Sequence, residues 1–224
     1  MNSSTLIWIL ISTSFITYFL VSMVYKKRGI QNLQSALIYK NGLRLLNLKH
    51  SLGILLFGIV FYAIKPDFRF LIQDVEIPRM FLLLLFLMTF FLSAYISGKS
   101  VKNQLLKTND MSSYNISTAW VYFSIRFAFL LCYEFFFRGV LLFKFLEFNS
   151  LFMAIFYSTI LYVLIHIFDS RKEILGAIPF GIVLCLFAYY TNSIWYVFFI
   201  HLALSAVYEI SMFYHLTLKN NIVS

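Results

Sequence analysis

Residues 6–25 read LIWILISTSFITYFLVSMVY and are followed at once by Lys26, Lys27 and Arg28. A helix that crosses a bilayer needs about 20 predominantly apolar residues, and this stretch meets that length without one charge. Basic residues directly after an apolar span mark the side that stays inside, so the N-terminus is expected outside. A cleavable signal peptide would carry its charges before the apolar region and a small-residue cleavage site after it, so residues 6–25 read as an anchor. The apolar residues run all round the helix rather than alternating, which excludes the strands of a membrane barrel.

Further spans follow at about 43–64, 80–96, 119–143, 151–168, 174–190 and 194–214, with Arg44 and Lys49 snorkelling at the inner end of the second. The expected fold is therefore an all-α polytopic bundle of about seven transmembrane helices. Lys65, Pro66 and Asp67 close the second span, and the polar run Ser97 to Ser117 reads as a loop. We expect one integrated membrane domain with three parts: N-terminal helices and basic loops (1–118), a core that carries the polar residues (119–214), and a short inner tail (215–224).

Of 224 residues, 61% are hydrophobic and only 12% charged, against roughly 25% charged in soluble domains, so a soluble fold is excluded. The net charge of +9 could suggest nucleic acid, but twelve of the 18 Lys and Arg fall in loops that the seven-span topology places inside. Only four, Lys65, Arg69, Arg79 and Lys144, fall outside, so the excess reports orientation and no nucleic-acid partner is expected. The expected location is a multi-pass position in a bacterial plasma membrane, with the lipid bilayer as first partner. Cys132 and Cys185 sit in apolar runs and read as packing residues.

Ionisable side chains inside a bilayer are costly, so each calls for a partner or a task. Within the spans these are Arg126, Glu134, Arg138, His166, His201 and Glu209, confined to the fourth, fifth and seventh helices, with His50 at the inner end of the second. Glu134 and Arg138 are four apart on one face, in the favourable order for an intrahelical ion pair. Gly139 beside them lets a neighbouring backbone come close. If the helices converge, His166 and His201 join the pair in one polar pocket where water can be held and activated. The expected boundaries put Glu134 and His201 in the outer half and His166 nearer the inner end, so convergence requires a shifted or tilted fifth helix. HExxH is absent, and two histidines with one paired carboxylate make a thin metal-ligand set, so neither metal nor cofactor is expected. Ser205, one turn past His201, can hydrogen-bond to it but makes no triad.

Tyr133-Glu134-Phe135-Phe136-Phe137-Arg138-Gly139, then Tyr162 to His166, then the turn-like Thr191-Asn192-Ser193-Ile194 before His201 to Ser205, resemble the three ordered motifs of the CPBP membrane proteins. Those motifs run EExxxR, FxxxH, then HxxxN or HxxxD. The family includes CAAX prenyl proteases, Abi proteins linked to bacteriocin immunity, and lysostaphin resistance protein A. The resemblance implies a glutamic-type intramembrane endopeptidase. In such an enzyme His166 and the first Glu activate a water, His201 helps with the oxyanion, and Glu134 and Arg138 form the structural pair.

The sequence departs from that pattern at two places. Tyr133 stands where the family has its first Glu, and Ser205 where it has Asn or Asp. A phenol with a reference pKa near 10 is a poor base at neutral pH. Adjacent helix positions diverge by about 100°, so Glu134 cannot take that place while holding Arg138. Glu209, one turn past Ser205, is a candidate substitute acid. Two functions follow: a diverged endopeptidase acting on a peptide or membrane-associated protein, with His166 and His201 central and Glu134 or Glu209 as base, or a catalytically silent homologue that binds and positions a partner membrane protein. A third possibility is that the polar residues only lock helices together.

Overall fold

A computed structural model describes residues 3–39, 41–105 and 116–218, and the described residues are helical with no strand among them. The first helix, α1, runs Ser3–Lys27 and ends on the basic triplet. A short α2 (Leu33–Ile38) follows in the linker, started by an Asn32/Ser35 capping box that supplies otherwise orphaned backbone donors with partners. The second span is α3 (Gly42–Ile64). A single turn, α4 (Phe70–Gln73), leads to α5 (Met80–Leu105).

The fourth long helix, α6, spans 116–146 without a break, and α7 (Leu151–Ile165) continues through a 3₁₀ turn at His166–Phe168. The helix α8 (Arg171–Thr191) starts on a Ser170/Glu173 capping box and stops at Asn192, whose φ of 48° is left-handed. Ser193 then caps α9 (Ile194–Phe213) by accepting from Trp195 N at 3.3 Å.

Six of these helices are long and apolar enough to cross a membrane: 4–27, 42–64, 80–103, 151–168, 171–191 and 194–216. The chain is a multi-pass membrane protein. The fourth of the seven expected spans, α6, is not among those six, although it is not short. At about 1.5 Å per residue it is some 45 Å long, well over the roughly 30 Å of a hydrocarbon core. The expected loop at 97–117 is also corrected. Helix α5 continues to Leu105 and α6 begins at Ile116, since polar residues outside the lipid still complete a backbone hydrogen-bond ladder; the intervening residues lie outside the described set. The last helix likewise extends past Tyr214 as a π turn to Leu218, and residues 219–224 of the expected tail lie outside the described set. Lys144, expected in an outer loop, is buried in α6 and paired with Glu147.

Helix α6 is the hub of the bundle. Phe135, Phe136, Phe137, Arg138, Gly139, Val140 and Leu141 are all buried, covering every direction around the axis, and this segment is wound as a π-helix. On one side it meets α1 and α3 through Tyr18, Phe57, Phe61 and Phe129, with Phe57 and Phe136 stacked at 4.5 Å between centroids. On another it meets α7, where Ser158 Oγ donates to the Phe137 carbonyl at 3.0 Å. Helix α5 packs along α9 and turns its other face outward, exposing Phe81, Met88 and Leu92, a surface suited to lipid.

Candidate functional site

Glu134 is fully buried at the last α-helical position before the π segment of α6. Its Oε2 lies 3.2 Å from Arg138 Nη1, one turn on, as the spacing of four leads one to expect. Its Oε1 takes a hydrogen bond from His201 Nδ1 on α9, a bond between helices that no sequence spacing encodes. Arg138 sits over the Tyr162 ring of α7, 3.8 Å from guanidinium carbon to centroid, so its charge faces a carboxylate and a π face. The four side chains tie α6, α7 and α9 together in a region where an unpaired charge would be costly.

Tyr133, one position earlier, points elsewhere. Its ring centroid is 6.4 Å from that of His166 and 6.3 Å from that of His201, so the phenol lies beside both histidines. Its hydroxyl lies 3.4 Å from His166 Nε2, a long hydrogen bond. His166 caps the C-terminus of α7, and the 3₁₀ turn that follows carries its imidazole beyond the regular helix. The convergence expected of His166 with Glu134 and His201 takes another form: His166 contacts Tyr133, and Glu134 bonds His201.

His166 Nδ1 bonds Asp169 Oδ2 at 2.7 Å, three residues along the same turn. A neutral imidazole that donates from Nδ1 keeps Nε2 as an acceptor, so the Tyr133 hydroxyl is the donor of the longer bond. His166 and Asp169 are both partly exposed, whereas Tyr133 and His201 are buried. Asp169 was not a sequence candidate, because attention to intramembrane charge passes over a residue in a turn. The available signal was its spacing of three from His166, just ahead of the capping serine.

Glu209 stands in a separate cluster. Its carboxylate accepts from Arg126 Nε and from the Tyr122 hydroxyl, both at 2.8 Å, and forms no bond to either histidine among the described residues. His50 lies beside this group, stacked on Phe129 at 4.9 Å. Ser205 is half-buried one turn past His201 and forms no side-chain hydrogen bond among the described residues. Cys132 lies against Gly58, where an added Cβ would collide with its Sγ. Gly139 is approached by the side-chain ends of Leu71 and Ile194, at 3.3 and 3.6 Å from where its Cβ would be, rather than by the backbone expected there. Among the described residues no three His, Cys, Asp or Glu side chains are grouped so that they could hold a metal ion.

Residues 115–207 match the family model Rce1-like, described as type II CAAX prenyl endopeptidase. This part of the chain is similar to the Rce1-like family. The matched segment holds every residue of the Tyr133–His166–Asp169 and His201–Glu134–Arg138 sets, and the resemblance drawn from the three motifs thus meets an independent family match. No curated protein and no solved structure matches the chain. The similarity is confined to that segment of a chain with six helices long and apolar enough to cross a membrane.

Proposed function

We propose that the protein is a diverged intramembrane endopeptidase that hydrolyses a peptide bond in a peptide or membrane-associated protein, with His166 as general base. The observation that carries this reading is that the Tyr133 phenol packs against both His166 and His201 in the Rce1-like segment. Glu134 is committed to His201 and Arg138, and Glu209 to Arg126 and Tyr122, so His166 Nε2 is the basic atom left facing the phenol. A water that replaces the 3.4 Å contact between the Tyr133 hydroxyl and Nε2 would give its proton to Nε2 as its oxygen bonds the scissile carbonyl carbon. The Tyr133 O–H then donates to the oxyanion, and His201, anchored by Glu134, supplies the second imidazole that the family implies there. Collapse of the tetrahedral intermediate breaks the C–N bond, and the proton on His166 passes to the leaving amine.

The test uses the purified full-length protein in detergent with a prenylated peptide ending in a CAAX sequence as probe. Cleavage is expected, falling by about 10²–10⁴-fold in His166→Ala, the usual worth of a positioned general base. Undiminished cleavage in that variant overturns the reading.

One observation supports a second reading. Tyr133 is 4% exposed and fills the place where the family carries its acid, which suits a silent homologue that binds and positions another membrane protein. No cleavage, together with stoichiometric co-purification of a membrane protein, would favour it.

A further inference from the structure

We infer that Asp169, in the turn after α7, is the positioning carboxylate of His166. The inference rests on the preceding section in taking His166 as the base, and it names a residue outside all three motifs.

Four observations carry it. First, the contact is short and direct, 2.7 Å from Nδ1 to Oδ2, the distance of a charge-assisted hydrogen bond. Second, it falls on the nitrogen opposite the one facing Tyr133, so holding a proton on Nδ1 leaves Nε2 free to accept one. A carboxylate behind an imidazole fixes both the tautomer and the ring plane.

Third, the turn is held from three directions. The Asp169 backbone N–H donates to the His166 carbonyl at 2.9 Å, the capping box Ser170/Glu173 begins directly after it, and Lys26 Nζ donates to the Phe168 carbonyl at 2.8 Å from the end of α1. A carboxylate on so constrained a turn loses little further freedom when it binds the ring, which is what preorganisation requires. Fourth, the other carboxylates near the polar core are occupied: Glu134 by His201 and Arg138, Glu209 by Arg126 and Tyr122. Asp169 makes no described contact with Tyr133 and acts through His166.

The experiment reads the tautomer of His166 in the full-length protein, labelled with ¹⁵N-histidine and placed in detergent micelles, with the resonance assigned by its loss in His166→Ala. The wild type is expected to show a protonated Nδ1 and a bare Nε2. Asp169→Asn should shift the ring toward the opposite tautomer or a mixture, and Asp169→Glu, which keeps the carboxylate, should restore at least part of the wild-type pattern. With the prenylated CAAX peptide as probe, Asp169→Asn should lose at least tenfold in cleavage rate at unchanged protein abundance, and Asp169→Glu should recover part of it. A tautomer unchanged in Asp169→Asn overturns the inference, as does equal cleavage by Asp169→Asn and wild type. If the wild type cleaves nothing, the proteolytic reading fails, while the tautomer comparison still decides whether Asp169 orients the ring.

Discussion

Two neighbouring residues on α6 carry opposite duties. Glu134 binds inward, to His201 and Arg138, and Tyr133 turns to His166. Removing one member of a buried ion pair leaves its partner charged and unpaired, at a cost of about 3–5 kcal/mol, whereas removing both together often costs little. Glu134→Met and Arg138→Met should therefore each lower abundance and thermal stability in detergent strongly, and the double variant should be more stable than either single one. Simple addition of the two losses would show that the pair is not coupled. Tyr133→Phe removes only the hydroxyl, so stability should hold while cleavage of the prenylated probe falls by about 10²-fold, as for loss of an oxyanion donor. An unchanged rate would remove the hydroxyl from the proposed mechanism. The Glu134–Arg138 pair was legible in the sequence because four residues make one helical turn. The Glu134–His201 bond was not, because it joins α6 to α9 across 67 residues, and its existence depends on how two helices are rotated against each other.

At the scale of elements, boundaries and winding carry what hydropathy could not. The apolar runs located all seven long helices, since burial in lipid demands continuous apolar surface. They missed the polar ends of α5 and α8, the capped α2, and the π segments at Ile54–Ile59 and Phe135–Leu141, which face each other where α3 packs on α6. A π turn inserts one residue into the ladder and re-aims those around it, a device frequent at functional sites. The same interface depends on Gly53 and Gly58 of α3, whose added Cβ atoms would run into Phe129 and Cys132. Gly58→Val should therefore destabilise the bundle by about 1–3 kcal/mol, the usual cost of overpacking. Gly98→Ala on α5, with nothing within 4 Å of the added atom, should be neutral or stabilising by up to about 1 kcal/mol, because alanine is the better helix former. Thermal unfolding in one detergent measures both, and equal shifts would mean that close approach at Gly58 is not what holds α3 against α6.

For the whole molecule, the parity of the fold rests on α6, which carries Arg126, Glu134, Arg138 and Lys144 and is not among the six clearly apolar spans. Those charges are paired: Arg126 with Glu209, Glu134 with Arg138, and Lys144 with Glu147, while His201 also bonds Glu134 and Tyr162 faces Arg138. Paired in this way they need not keep α6 out of the bilayer, and its length of some 45 Å is ample. If α6 crosses, Asp67 in the turn after α3 and Lys172 at the start of α8 lie on opposite sides of the membrane, separated by α5, α6 and α7. If it does not, the two lie on the same side. The distribution of Lys and Arg favours crossing, since it puts Arg171 and Lys172 with Lys26, Lys27 and Arg28 on the inner side. The Lys26 contact to the Phe168 carbonyl supports this, because it joins the inner end of α1 to the turn before α8. Asp67→Cys and Lys172→Cys, each in a chain with Cys132 and Cys185 replaced by Ala, can be treated in intact cells with a membrane-impermeant maleimide. Asp67→Cys should label at once and Lys172→Cys only after the membrane is opened. The reverse pattern would invert the orientation, and labelling of both without opening would mean that α6 does not cross and that the His166–Asp169 pair faces outward.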